Sequence, residues 1–157
     1  MSKKNCFKIA KRFSALLVVI MILLLLWLLF LSRRSQTKVL VGGNLLKVEI
    51  MRTEEERAYG LSDRKFLCSD CGLLFIFDRL GIYPFWMRKM YFDIDILWVA
   101  GDEVVDITYG ARKPPLEDFD SPKEIYQSQI PIDKVLEVNA GWVVKNGLKI
   151  GDKISLK

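Results

Sequence analysis

Seventeen consecutive apolar residues, Ala15 to Leu31, constrain this chain more than any other feature of its sequence. With Phe13, Ser14 and Ser32 the stretch covers residues 13–32, about 30 Å of helix at ~1.5 Å per residue, the thickness of a bilayer core. It has no polar stripe, so it is not built to lie half-buried against a soluble core. It exceeds the apolar part of a cleaved leader and ends in Phe30-Leu31-Ser32-Arg33-Arg34 rather than in small residues, which points to an uncleaved transmembrane anchor. Five cations precede the run and three follow it, so the positive-inside rule favours a cytoplasmic N-terminus. The expected organisation is a basic cytoplasmic stub (1–12), a single membrane span through the lipid bilayer (13–32), a polar tether (33–38) and an extracytoplasmic domain (39–157).

Charge sorts the same way. The chain carries 24 Lys+Arg and 19 Asp+Glu, but residues 1–38 hold eight of the cations and no acid. Residues 39–157 keep 16 cations against 19 acids, a net of −3. The overall basicity therefore belongs to the membrane-flanking segment, and a nucleic-acid partner for the outer domain is disfavoured. The absence of His removes imidazole catalysis and the usual His-containing metal sites. No cofactor is expected.

The outer domain reads as mainly β. Val39–Val41 and Leu45–Met51 flank Gly42-Gly43-Asn44, and Leu46, Val48 and Ile50 alternate with Lys47 and Glu49, the period of a half-buried strand. Thr53 with Glu56 three residues on forms a capping box, which predicts a short helix over Glu54–Tyr59 stopped by Gly60. Gly72–Phe77, Tyr83–Met87, Ile94–Ala100, Val104–Tyr109, Val135–Val138 and Lys153–Leu156 are the remaining expected strands. Asn139 is placed to cap a second short helix over Ala140–Lys145. Seven or eight short strands with two small helices predict a compact, closed antiparallel β-barrel-like domain, with α+β as the alternative.

Several blocks of the domain resemble a known family: Glu56-Arg57-Ala58-Tyr59-Gly60-Leu61, Gly72-Leu73-Leu74-Phe75-Ile76-Phe77, Phe85-Trp86-Met87-Arg88, Ile94-Asp95-Ile96-Leu97-Trp98 and Leu136-Glu137-Val138-Asn139-Ala140-Gly141. In this order they are similar to domain of unknown function family 192, whose blocks read roughly G-L-M, G-M-L-F-V-F, F-W-M-K-N-T, P-L-D-I-I-F and L-E-V-x-A-G. The chain departs from that pattern at Ser62, Leu73, Lys89-Met90 and Asp93. The resemblance implies a compact β-rich fold, often exported, and brings no reaction with it.

Three constellations could carry chemistry. Cys68 and Cys71 form a C-x-x-C in a loop between helix and strand. In an oxidising compartment a structural disulfide is the first reading, with redox activity, a metal shared between subunits and idle thiols as alternatives. Asp93 and Asp95 are two apart on one strand, about 6.5–7 Å at ~3.3 Å per residue. With Glu137 they could serve as acid and base in a hydrolase acting on envelope polymers, or Asp95 could be anchored by Arg64, Arg88 or loop N–H groups. Tyr83 through Phe92 is the densest aromatic and thioether stretch. There Trp86 could stack on a planar ligand, Met87 and Met90 with Met51 could hold Cu(I), or all could simply pack. The leading expectation is a non-catalytic module binding a small ligand or an envelope partner through Trp86, Arg88, Asp95 and Glu137. The hydrolase and a redox protein acting through Cys68 and Cys71 are the alternatives. The proline-rich segment 111–132 is a long loop, a candidate lid or a solvated excursion.

Overall fold

The structure, a computed structural model, describes residues 17–27 and 36–157. Residues 17–27, all apolar, are helical (α1); the rest of the expected span 13–32, and the stub 1–12, lie outside the described residues. Among the described residues no helix is long and apolar enough to cross a membrane. The remaining elements belong to a separate compact unit.

That unit has seven strands: β1 (Gln36–Val41), β2 (Asn44–Met51), β3 (Cys71–Gly81), β4 (Ile94–Ala100), β5 (Glu103–Ala111), β6 (Ile132–Asn139) and β7 (Ile154–Leu156). Helix α2 (Glu54–Tyr59) follows β2 and helix α3 (Trp142–Lys145) follows β6. The strands form one curled sheet in the order β5-β4-β6-β3-β2-β1-β7. The curl, a half-barrel, brings its two edge strands together at one end, where Glu103 and Lys153 form a bridge.

The mainly β reading holds, with three corrections. The sheet is not wholly antiparallel, because β2 and β3 run parallel, with Val48 opposite Gly72 and Ile50 opposite Leu74. A parallel neighbour needs a crossover, and α2 with the loop to Cys71 supplies it. Residues 83–87 are not a strand: Phe85 alone pairs, with Tyr126, through two 2.8 Å hydrogen bonds. The stretch is apolar because it covers the sheet rather than joining it. Finally, β1 begins at Gln36, so the end of the expected tether is strand.

Local chemistry explains the helices. Thr53 accepts from the Glu56 N–H while the Glu56 carboxylate accepts from the Thr53 N–H, closing the capping box. Asn139 does not cap α3. Its amide donates to the carbonyls of Leu67 and Cys68, and the α3 cap position is Gly141 at φ 82°.

Both faces of the sheet are buried. On the concave side Val39, Val41, Leu46, Val48, Leu74, Leu97, Leu136 and Val138 pack with Trp142 and Val143 of α3. On the convex side Met51, Leu73, Phe75, Ile96, Trp98 and Val135 lie beneath the loops carrying Leu61, Met87 and Met90. Gly72 sits where β3 and β6 approach closely, and a Cβ there would lie 2.7 Å from the Glu137 carbonyl oxygen. Only glycine keeps the two strands this close, since a Cβ there would also press on Leu46 and Leu136 of the concave core.

Candidate functional site

Pleat parity decides which predicted residues meet. In the β4–β6 ladder Ile96 stands opposite Glu137 and Asp95 opposite Val138. Since Val138 belongs to the concave core and Ile96 to the convex one, Asp95 and Glu137 point to opposite faces of the sheet. They cannot serve as acid and base in one cleft, which removes the geometry that the hydrolase reading required.

Asp95 is 1% exposed and is held by backbone rather than by Arg64 or Arg88. Its carboxylate accepts from the Gly110 N–H at 2.9 Å, in the irregular part of β5, and from the Val143 N–H at 3.1 Å, in the first turn of α3. It therefore stitches a bulge and a helix end to the sheet, where an acceptor suits free N–H groups. Asp95→Ala strands both donors and should lower the unfolding free energy by about 2–3 kcal/mol, measured by urea titration, without altering the convex-side pocket. Asp93 is exposed and accepts from the Lys113 N–H at 2.8 Å, fixing the start of the 111–132 loop.

Glu137 is 7% exposed and looks into a cavity of about 310 Å³. Trp86, Arg88 and Glu137, three of the four expected ligand-binding residues, line this cavity, and Asp95 does not. Phe75, Phe77, Tyr83 and Phe85 supply aromatic walls. Phe77 stacks on Tyr83 with ring centroids 3.7 Å apart, while Phe85 meets Phe75 and Trp98 edge-to-face at 5.0 and 5.5 Å. Trp86 remains 48% exposed at the mouth. Met87 and Met90 are buried wall residues and Met51 packs in the same convex core, an arrangement in which the thioethers fill space.

Two features of the site had no visible sequence signal. Helix α2 contributes Glu54, Arg57 and Ala58 to the rim. The Arg57 guanidinium donates to the carbonyls of Arg52 and Ile76 and lies 5.0 Å over the Phe77 ring, bracing that wall. The second feature is electrostatic and lies behind Glu137, outside the cavity lining. Glu49 of β2 is level with Leu73 of β3, which is level with Glu137 of β6, so both acids share the convex face. Arg64 forms a bidentate pair with Glu49 at 2.5 and 2.7 Å, which raises the guanidinium pKa. No donor among the described residues bonds Glu137. Burial pushes its carboxyl up to about 8, with Arg64 offsetting that only in part.

Next to the lining residues Ser62 and Arg88 stand the only two non-glycine residues with positive φ among the described residues, Asp63 at 62° and Lys89 at 55°. They are joined, the Asp63 N–H donating to the Lys89 carbonyl at 2.9 Å, and Ser62 Oγ donates to the Arg88 carbonyl beside them. The family pattern places Asn where Lys89 stands, and Asn tolerates this backbone conformation better than Lys. Lys89→Asn should raise stability by about 0.5 kcal/mol, visible as a small rise in Tm, since backbone strain of this kind costs little.

Cys68, in the loop that leads into β3, is disulfide-bonded to Cys71, the first residue of that strand, their Cα atoms 5.1 Å apart. Neither lines the cavity. The C68S/C71S double variant should lose about 1–2 kcal/mol of stability, as expected for so short a closed loop, and should retain ligand binding, which titration of both proteins with one ligand checks. Among the described residues no group of three or more His, Cys, Asp or Glu side chains could hold a metal ion.

Comparison with solved structures places the fold among known proteins. A protein from Sinorhizobium meliloti described as a "putative transcription regulator" is 27% identical with a TM-score of 0.69, over 78% of this chain and 95% of its own. A protein of unknown function from Novosphingobium aromaticivorans is 29% identical with a TM-score of 0.70, over 79% of this chain and 87% of its own. No curated protein matches the chain. The family model of DUF192, described as Uncharacterized ACR, matches residues 37–156, the whole sheet with its helices and both loops that roof the cavity, and the chain therefore belongs to the DUF192 family.

Proposed function

We propose that residues 36–157 are a small-ligand binding module, non-catalytic, whose site is the aromatic cavity on the convex face of the sheet. The observation that carries this reading is Glu137: a carboxyl 7% exposed, bonded by no donor among the described residues, lining a cavity of about 310 Å³. An apolar pocket with a few convergent polar groups is what small-molecule sites look like, and a desolvated acid in a cleft is a functional-site candidate on physical grounds. Trp86 offers a stacking face at the mouth, and the exposed Arg88 beside it a charged one.

The module is further proposed to stand outside the cytoplasmic membrane, tethered through residues 13–32. The uninterrupted apolar run and its flanking charges support this. A role in transcription, suggested by the description of the Sinorhizobium protein, is not extended to this chain, because residues 39–157 carry a net charge of −3.

Full-length protein in detergent micelles, screened against small aromatic and aliphatic compounds by NMR of the Met87 and Met90 methyls, tests the site. The reading predicts saturable shifts at those methyls that weaken when Trp86 is replaced by Ala, while Trp142 on the concave side stays silent. Hits that map only to the concave side, or none at all, would contradict it. Protease shaving of intact cells tests the address: the domain should be cut while the N-terminal stub is protected.

A further inference from the structure

Glu137 lines the cavity, and Arg64 and Glu49 stand beyond its lining on the same face of the sheet. Arg64 spends both terminal nitrogens on Glu49, so it reaches Glu137 only through space and offsets the burial of that acid in part. Glu137, two strands away and about 10 Å from Glu49 by the spacing of neighbouring strands, has no counter-charge of its own. Every other cation near the cavity is engaged or remote from the floor. Arg57 is tied to two backbone carbonyls and the Phe77 face, and Arg88 is exposed at the mouth with Glu54 also on the rim. Since every fully buried polar side-chain atom among the described residues has a partner, the Glu137 oxygens, which have none, face the cavity itself.

We propose that the ligand completes this set: resting on the binding reading above, the site is built for a small amphiphile whose inner end is an ammonium group paired with Glu137 and whose aromatic or aliphatic body lies between Phe77, Phe85 and Trp86. A cation placed there meets both an acid and aromatic ring faces, each of which attracts positive charge in a desolvated pocket. A neutral inner end would leave the acid as it is found in the free protein, and once Glu137 is ionised an anionic one would be repelled. The raised affinity of Glu137 for a proton accords with this, because a proton is the smallest cation that fills the same deficit.

Three probes of one shape separate the outcomes: phenethylammonium, 2-phenylethanol and 3-phenylpropionate, each titrated at millimolar concentration into full-length protein in detergent micelles and read at the Met87 and Met90 methyls. At pH 9, where Glu137 is ionised, the ammonium compound should bind about ten-fold or more tightly than the alcohol, with the carboxylate weakest. In Glu137→Gln, which keeps shape and hydrogen-bonding capacity, the preference for the amine should vanish while binding of the alcohol persists. Equal or tighter binding of the alcohol, or an amine preference that survives in Glu137→Gln, overturns the proposal while leaving the pocket a binding site. Failure of all three probes to move either methyl overturns the binding reading and the proposal with it. Unchanged Met51 and Trp142 signals show that the variant is folded.

Discussion

Replacing Trp98 by Ala should lower the unfolding free energy by about 3–5 kcal/mol, the range for removing a fully buried large aromatic side chain. Trp98 is 0% exposed in the middle of β4, its ring 5.5 Å from that of Phe85, and its Nε1–H donates to Thr108 Oγ1 at 3.0 Å. The consequence extends to the site. Phe85 is one wall of the cavity and the one residue of its loop bridged to Tyr126, and the Trp98 ring is part of its seat. Loss of that ring should loosen the roof, weakening ligand binding even at temperatures where the sheet remains folded. Trp98→Phe keeps a ring for Phe85 to pack against and forfeits mainly the hydrogen bond to Thr108, so its cost should be about 1–2 kcal/mol with binding largely kept. Urea unfolding and ligand titration on the same three proteins give both numbers.

The second large effect is a dependence of stability on pH set by Glu137. Its carboxyl is raised in the folded protein from 4.5 to about 8. The folded state therefore holds a proton that the unfolded chain releases, and the associated stability is fully present below about 4.5 and is lost as pH rises through 8. At ~1.4 kcal/mol per tenfold in proton affinity, the loss between pH 5 and pH 9 is on the order of 4 kcal/mol. Arg64 is the cation that opposes this shift, with Glu49 bound to it; Glu54, Arg57 and Arg88 surround the cavity. Glu137→Gln cannot titrate, so its Tm should be flatter across that range and should exceed the wild-type value at pH 9. Asp95 gives the contrast. It is also buried, yet its carboxylate is met by two N–H groups, so removing it destabilises where removing the charge of Glu137 in alkali stabilises.

These two acids also show how far the sequence could be read. Asp95 and Glu137 stand out equally in apolar strands, and nothing local distinguishes them. What separates them is cross-strand register, Ile96 against Glu137 and Asp95 against Val138, and register is a property of two segments far apart in the chain. The same limit hid the parallel pairing of β2 with β3, since a crossover depends on where the second strand returns. Where the determinants are local the reading was close. The capping box at Thr53 set helix α2 to its observed bounds, and the alternation in Leu46, Val48 and Ile50 found β2. Trp86, Arg88 and Glu137, named from the sequence as candidate ligand-binding residues, all line the cavity, Trp86 having been singled out by the density of aromatic residues around it. Arg57 was not named, because an Arg on an exposed helix is ordinary, and only the fold turns it over Phe77. Tyr83 to Met87 misled for a related reason. Its apolar content reflects burial under a covering loop, and burial alone does not separate a loop from a strand.

The account rests on Glu137 being a buried acid that no donor among the described residues bonds, and the direct measurement is a carboxyl 13C titration of that residue in the full-length, ligand-free protein. A midpoint near 8 is the predicted result. A midpoint in the ordinary glutamate range, about 4–5, would mean that the carboxylate is already solvated or paired, and would contradict both the binding site and the cation it is proposed to await.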